Sequence, residues 1–212
     1  MKILEKTLIV IMIFGLFFKV MMYAGGSILF LLPGLILSLL YNFFGFAFHN
    51  NAKKIFKSES YKDISRSQII VGILSGFALS SCLLGIIFKL QDYPGSAVML
   101  LSGIGFLSIL LAYLLVKNRP SFKNSIIRSG IIAVISIILY STSSVTIMSF
   151  FHRDSPSYIQ AYKEYSKNPK DERLLRKLDF QRQIIGLDSI NALRVAKHLP
   201  FDSEGNLKES IY

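Results

Sequence analysis

Four stretches of 20 to 23 residues in this chain contain no charged side chain. A helix needs about 20 mostly apolar residues to cross the hydrocarbon of a bilayer, and shorter apolar runs are more typical of buried core helices. The pattern therefore predicts four uninterrupted membrane helices, at residues 27–48, 69–88, 96–116 and 129–151.

A fifth apolar stretch lies at residues 7–23 and contains Lys19. Lys2 and Lys6 before an apolar run are also typical of a secretory signal peptide. Cleavage after Ala24 would place Met22 at the −3 position, where a small residue is required. We therefore predict that this stretch is retained as the first span.

The charged residues are concentrated after the last apolar stretch. Of the 37 Asp, Glu, Lys and Arg residues, 17 lie in residues 1–151 and 20 in residues 152–212. Hydrophobic residues make up 52% of the chain and charged residues 17%, which excludes a soluble enzyme and a collagen-like fibre. A disulfide scaffold is excluded because Cys82 is the only cysteine.

A repeat organises the first part of the chain. Residues 15–40 and 85–110 align without a gap at an offset of 70, in the order G–x–x–F–K–x–x–x–Y–x–G. Each copy predicts a helical hairpin, because Gly and Pro punctuate its centre. The hairpin-turn motif comprises Phe18, Lys19, Tyr23 and Gly25 in the first copy, and Phe88, Lys89, Tyr93, Pro94 and Gly95 in the second.

Two interpretations of this motif are open. The tyrosine belongs at the headgroup level, and the lysine one turn deeper can extend its ammonium to the interface, so the motif is interpreted as a membrane turn with its anchors. The alternative is that the paired lysines bind a lipid headgroup or a partner. Both hairpins start on the same side, which predicts a parallel duplication rather than the inverted repeats common in transporters.

The predicted fold class is all-α: a polytopic membrane bundle of five transmembrane helices, two parallel-repeated hairpins plus one, with a small helical C-terminal cap. The hairpins occupy residues 1–48 and 68–116 and the fifth helix residues 129–151. Basic loops lie at 49–67 and 117–128, and the tail at 152–212.

Basic residues predict the orientation, because Lys and Arg are enriched in cytoplasmic loops. Eleven lie on the side of the N-terminus, and only Lys19 and Lys89 lie near the hairpin turns. We predict a bacterial inner-membrane protein with the N-terminus cytoplasmic and the tail periplasmic. Anionic lipid and insertion topology account for the net charge of +11 without a nucleic acid. The eleven residues are Lys2, Lys6, Lys53, Lys54, Lys57, Lys62, Arg66, Lys117, Arg119, Lys123 and Arg128.

The hairpin resembles a known family on the motif residues listed above. It is similar to the membrane hairpin of the gliding-motility motor protein GldL and its relatives in Bacteroidota, which belongs to an ion-driven motor. The resemblance covers about 35 residues per copy and implies a membrane protein of that lineage. It departs from the family at Met22 and Asp92, where a His is frequent, and spans two and four contain no carboxylate. The motor activity is therefore not carried over.

Small and polar residues mark two further sets within the spans. Small residues at a spacing of four let helices approach closely, which predicts helix packing at Gly34, Ser38, Gly72, Gly76 and Ser80. Polar residues predict either packing through hydroxyl bonds or a polar path for a solute: Asn42, Ser141 and Ser144. We predict no catalytic, metal or cofactor site, since the three histidines are far apart and the common nucleophile and phosphate-loop motifs are lacking.

The tail predicts three short helices. The first is capped by Ser155 or Ser157 and ends near Ser166. The second is capped by Asn168, with Pro169 in its first turn, and stops at Gly186. The third starts at Asp188 or Ser189 and ends before Pro200, and residues 201–212 are predicted to be frayed.

These features predict a non-enzymatic accessory or scaffold subunit of a membrane complex. Its partners are the lipid bilayer and other membrane or periplasmic subunits, and oligomers are compatible with it. The alternative is a channel or transporter for a neutral or lipidic solute, with a gliding or secretion motor component ranked below both.

Overall fold

The computed structural model describes residues 2–49, 64, 66–117, 122–185, 187 and 189–208. These residues confirm the all-α class, apart from one isolated β-bridge between Phe201 and Leu207. The chain divides into two compact units, Met1–Ser143 (unit 1) and Ser144–Tyr212 (unit 2). Unit 1 contains α1 Lys2–Val20, α2 Gly26–His49, α3 Arg66–Gln91, α4 Ser96–Lys117 and α5 Lys123–Ser141, and unit 2 contains α6 Ser144–Phe151, α7 Pro156–Lys167, α8 Glu172–Ile184 and α9 Ser189–His198.

In unit 1, α1 with α2 and α3 with α4 form two antiparallel hairpins. Gly15 approaches the backbone of Phe30, and Gly26 approaches that of Lys19, so residue numbers rise on one helix as they fall on the other. α2 packs against α3 in the same antiparallel sense, and α5 packs against α3 and α4. Five of the predicted basic residues, and the predicted helix stop, lie outside the described residues: Lys53, Lys54, Lys57, Lys62, Arg119 and Gly186.

The first hairpin turn ends α1 in a Schellman motif. The Tyr23 N–H donates to the Phe18 carbonyl at 2.9 Å, and the Met22 N–H donates to the Lys19 carbonyl at 3.0 Å. Met22 is left-handed, with a φ of 59°. The rings of Phe18 and Tyr23 pack edge to face with centroids 5.9 Å apart, which is the apolar contact that commonly accompanies this motif.

The second turn has the same features at equivalent positions. The Tyr93 N–H donates to the Phe88 carbonyl at 2.8 Å, and their rings pack edge to face at 5.5 Å. Asp92 has a φ of 59°, equal to that of Met22. The aromatic pair in each turn thus packs where a helix ends. Interfacial anchoring, which the sequence predicts for the tyrosine, is an additional role. The duplication itself stays a prediction.

Substituting Met22 with glycine is expected to stabilise unit 1 by about 1 kcal/mol. A left-handed conformation costs an L-residue roughly that amount, and glycine avoids it, although its looser unfolded chain offsets part of the gain. The midpoint of denaturation in detergent measures the change. Asp92→Gly should gain less, because Asp tolerates this conformation better than Met. Met21→Gly is the matched control and should destabilise; a gain there as large as at position 22 would contradict the explanation.

The number of candidate spans is smaller than predicted. By length and composition, three helices of the described residues qualify, and α5 with α6 makes a fourth only if that pair counts as one broken span. α1 does not qualify because it carries four charges, Lys2, Glu5, Lys6 and Lys19, in 19 residues. The qualifying helices are Gly26–Phe48, Gln68–Gln91 and Ser96–Lys117.

The predicted single helix over residues 129–151 is interrupted. α5 ends at Ser141, Thr142 is extended with φ −85° and ψ 131°, and α6 starts at Ser144. The Thr142 hydroxyl donates to the Ile138 carbonyl at 2.7 Å. Ser and Thr offer the backbone such local alternatives to helical bonds, and four occur consecutively here. The prediction of one unbroken fifth span is therefore wrong.

Unit 2 has a small core of its own, formed by α6, α7 and α8. The rings of His152 and Tyr158 pack at 4.6 Å, and Lys177 of α8 forms an ion pair with Glu164 of α7 at 3.0 Å. Hydrogen bonds from Lys177 and Gln160 lower the pKa of the Glu164 carboxyl. The buried core side chains are Ile147, Met148, Phe151, Tyr158, Ala161, Tyr162, Leu178 and Phe180.

Two predictions for the tail are corrected. The cap of α8 is Asp171, whose carboxylate accepts from the Arg173 and Leu174 N–H groups, so the predicted cap Asn168 lies before the helix. A carboxylate satisfies two free N–H groups there and also favours the helix dipole.

Residues 201–208 are also ordered, although fraying was predicted for residues 201–212, of which 209–212 lie outside the described residues. The Arg176 Nε donates to the Gly205 carbonyl at 2.9 Å. The Asp202 carboxylate accepts from the Glu204 and Asn206 N–H groups within the loop. The loop therefore has its own hydrogen bonds and a contact with α8, which a sequence-based view of a chain end does not anticipate.

Candidate functional site

A buried polar cluster joins three helices of unit 1. Glu5 of α1 accepts a hydrogen bond from the Tyr41 hydroxyl of α2 at 2.6 Å. Arg128 of α5 bonds both carboxylate oxygens, with Nε–Oε1 at 3.1 Å and Nη2–Oε2 at 3.2 Å. This two-point geometry is the strongest arrangement between a guanidinium and a carboxylate. We call these three residues the Glu5 cluster.

Aromatic rings complete the surroundings of the Arg128 guanidinium. Its carbon lies 5.8 Å from the ring centroids of both Tyr41 and Phe48. The two rings pack edge to face at 5.5 Å. Glu5 is only 6% exposed and Tyr41 is fully buried. Arg128 is thus bound by a carboxylate and by the faces of two rings, each of which stabilises a cation.

One member of the Glu5 cluster, Tyr41, lies well inside a candidate span. Tyr41 precedes His49, the last residue of α2, by eight positions, which corresponds to about 12 Å along the helix axis. Glu5 and Arg128 lie in the first two turns of α1 and α5. Charged side chains among membrane helices typically face the bundle interior and pair with one another. Glu5 and Arg128 do both.

A narrow cleft opens beside Arg128. Its lining combines hydroxyl groups with aromatic and aliphatic side chains. The Ser129 side chain is 1% exposed, and its hydroxyl has no hydrogen-bond partner within the described residues. The cleft therefore contains one unsatisfied polar group next to a paired cation. Its lining residues are Tyr41, Gly45, Phe48, Ser75, Leu79, Ser125, Arg128 and Ser129.

The chemistry of this cluster is that of an electrostatic link between helices. The carboxylate and guanidinium neutralise each other, and the phenol donates to the same carboxylate oxygen that Arg128 Nε contacts. Within the described part of the chain, no group of three or more His, Cys, Asp or Glu side chains is arranged to hold a metal ion. The arrangement supports fixing α1, α2 and α5 in one register.

The two motif lysines have different surroundings. The Lys19 ammonium donates to the Leu90 carbonyl at 2.6 Å and to Gln91 Oε1 at 2.7 Å, so it bonds the C-terminal end of α3. Gln91 in turn donates to the Ser27 carbonyl at 3.0 Å. Lys89 is buried, at 9% exposure. Lys19 thus links the two hairpins, a role that neither interpretation of the motif includes.

The predicted packing residues lie between α2 and α3. The hydroxyls of Ser38 and Ser80 are 2.8 Å apart. Gly76 faces Gly45, and a Cβ on Gly45 would lie 2.9 Å from the Gly72 carbonyl oxygen. Gly34 faces the Ile87 side chain. Gly45, which sequence analysis missed, is one of the closest contacts.

The three residues of the predicted polar set lie on three different helices. Asn42 follows Tyr41 and is exposed on α2, at the level where α2 meets Arg128. Ser141 ends α5, 13 residues beyond Arg128, or about 20 Å along the helix. Ser144 begins α6 after the interruption. Within unit 1, Asn42 and Ser141 are therefore not brought together.

Sequence analysis missed the Glu5 cluster because it assigned Glu5 and Arg128 to segments outside the spans. One signal was present. Glu5 is the only acidic residue among the first 58, within a segment whose other charges are all basic. A lone carboxylate beside an apolar run predicts a specific cationic partner, although not which of the many Lys and Arg residues it is.

No family model matches this chain. No curated protein and no solved structure matches it either.

Proposed function

We propose that this chain is a non-enzymatic multi-pass membrane protein that serves as an accessory or scaffold subunit of a membrane complex. Three or four helices of suitable length and apolarity support its insertion. The surplus of basic residues around the N-terminus and after α2 and α4 supports a cytoplasmic location for that side of the membrane, which we propose to be a bacterial inner membrane. The tail, predicted to lie outside, is a second candidate contact for a periplasmic subunit.

The observation that carries this proposal is an exposed face of small residues on α4. Gly105, Ser108 and Ala112 are all exposed, at spacings of three and four. Beyond its own helix, no atom of the described residues lies within 4 Å of the position that a Cβ on Gly105 would occupy. Small residues at these spacings let the backbone of a second helix approach closely, and packing of this kind drives association in lipid.

Replacing Gly105 and Ser108 together with leucine is expected to dissociate the complex. The two side chains would separate the helix backbones, while the open space around Gly105 leaves the fold of unit 1 intact. Light scattering after extraction in mild detergent measures the mass of the protein in the complex. Ile109→Leu, at an exposed position on the same helix, is the matched control and should keep the wild-type mass.

A wild-type protein that is monomeric both in mild detergent and in lipid nanodiscs would contradict the scaffold proposal. A complex that survives both leucines with unchanged mass would exclude the α4 face as its contact. The transporter alternative lacks comparable support, because Asn42 lies at the level of Arg128 and Ser141 about 20 Å further along α5.

A further inference from the structure

One helix of unit 2 exposes an apolar surface that the described residues of unit 2 do not cover. Ile190 is 73% exposed and Leu193 is 72% exposed, both on α9. Arg194 and Lys197 are exposed beside them. These four residues stand at spacings of three, four and seven and therefore share one face of the helix. We call them the α9 face.

The opposite side of α9 is occupied. Ala192, Val195 and Ala196 are partly buried, and α9 packs against α8. The Lys208 ammonium donates to the Ala196 and Lys197 carbonyls and so caps the helix C-terminus. The helix is thus held in place by unit 2 while two large aliphatic side chains point away from it.

The charge on α9 is of one sign. Its sequence, SINALRVAKH, contains Arg194 and Lys197 and no acidic residue. Aliphatic side chains flanked by Lys and Arg are typical of helices that lie in the interface of a bilayer, where the apolar groups enter the acyl boundary and the cations meet anionic headgroups. A neutral apolar face would fit a protein partner equally well, and the two cations favour lipid.

We propose that the α9 face docks on the surface of an anionic lipid bilayer. The same chain carries helices suited to crossing a membrane, so in a membrane the α9 face is tethered near lipid at a high effective concentration. A weak affinity of the α9 face for the bilayer surface is therefore sufficient for docking. This surface is separate from the α4 face and does not depend on the proposed complex.

The test uses the full chain in lipid nanodiscs with one environment-sensitive dye. The Cys82→Ala background receives Leu193→Cys for the dye, and Ser166→Cys on the exposed side of α7 is the matched control. Lipids carrying a shallow spin-label quencher are compared in phosphatidylcholine alone and with phosphatidylglycerol added. We expect quenching at position 193, stronger with phosphatidylglycerol, and little quenching at position 166.

Charge and apolar variants separate the two contributions. Arg194→Gln with Lys197→Gln should lower the docked-to-undocked ratio about fivefold for each charge in anionic nanodiscs, and much less in neutral ones. Ile190→Asp should abolish quenching at position 193 in both. Circular dichroism checks that each variant is folded. We expect it to be, because these side chains are exposed and do not contribute to the core of unit 2.

Three outcomes would overturn the proposal. Dye at position 193 that stays in water would show that the face does not dock. Dye that is shielded from water but not quenched would show that protein covers the face. Equal quenching at positions 193 and 166 would show that no particular face of unit 2 meets the lipid.

Discussion

Glu5→Gln is expected to lower the free energy of unfolding of unit 1 by about 3 kcal/mol, because it leaves the Arg128 charge buried without its counter-ion. The value lies at the lower end of the range for broken buried pairs, since 21% of the Arg128 side chain stays exposed. Denaturation of the full chain in mixed micelles, followed by circular dichroism, measures the loss.

A second substitution tests the cause. In the double variant Glu5→Gln with Arg128→Met, the uncompensated charge is gone, and the Met side chain still packs near the rings of Tyr41 and Phe48. We expect the double variant to be more stable than Glu5→Gln alone, because replacing both partners of a buried pair is far less damaging than removing one. The coupling between the two positions follows from the complete mutant cycle.

An exposed ion pair in unit 2 provides the matched control. Glu172 is paired with Arg176 at 3.4 Å and is 86% exposed. Glu172→Gln should change stability by less than about 0.5 kcal/mol, since exposed pairs contribute little. Equal losses from Glu5→Gln and Glu172→Gln, or strictly additive effects at Glu5 and Arg128, would show that the Glu5 cluster is not an electrostatic link.

The parts of the fold that follow from local pattern were predictable. Runs without charge locate α2, α3 and α4, because the requirement for about 20 apolar residues acts on contiguous sequence. The interruption after Ser141 was not predicted, since hydropathy ignores the competition between Ser and Thr hydroxyls and the helix backbone. The cap of α8 was not predicted for a different reason. Asn168 and Asp171 are both good capping residues, so the sequence does not decide between them.

The candidate site depends on contacts between residues that are distant in sequence. Glu5 and Arg128 are 123 positions apart, and a basic residue near a helix start already has an explanation in the cytoplasmic loop bias. The contacts of Lys19 also join distant parts of the sequence, because its partners Leu90 and Gln91 belong to the other hairpin. Local rules singled out Lys19 but neither Glu5 nor Arg128, and only tertiary packing decides which residues each of the three contacts.

The α2–α3 interface leads to the second large effect, at Gly76. A Cβ on Gly76 would overlap the Tyr41 carbonyl oxygen and lie 2.6 Å from the Gly45 Cα. Both are backbone atoms of α2, and a backbone atom cannot shift without moving the helix that contains it. Gly76→Ala must therefore increase the separation between α2 and α3. We expect a loss of about 3 kcal/mol, near the upper end for overpacking, together with a weakened Tyr41–Glu5 hydrogen bond.

The same Gly→Ala substitution at two other glycines provides a comparison for the loss of stability expected at Gly76. At Gly34 the added methyl would meet the flexible Ile87 side chain, 2.7 Å away at Cδ1, so Gly34→Ala should be milder. At Gly105 it would meet no other described residue within 4 Å, and Gly105→Ala should stabilise the helix by up to about 1 kcal/mol because alanine has the higher helix propensity. Denaturation midpoints that rise from Gly76→Ala through Gly34→Ala to Gly105→Ala would support backbone contact at Gly76. A neutral Gly76→Ala would mean that α2 and α3 are not held together at this crossing, and the position of Tyr41 beside Glu5 would then need another cause.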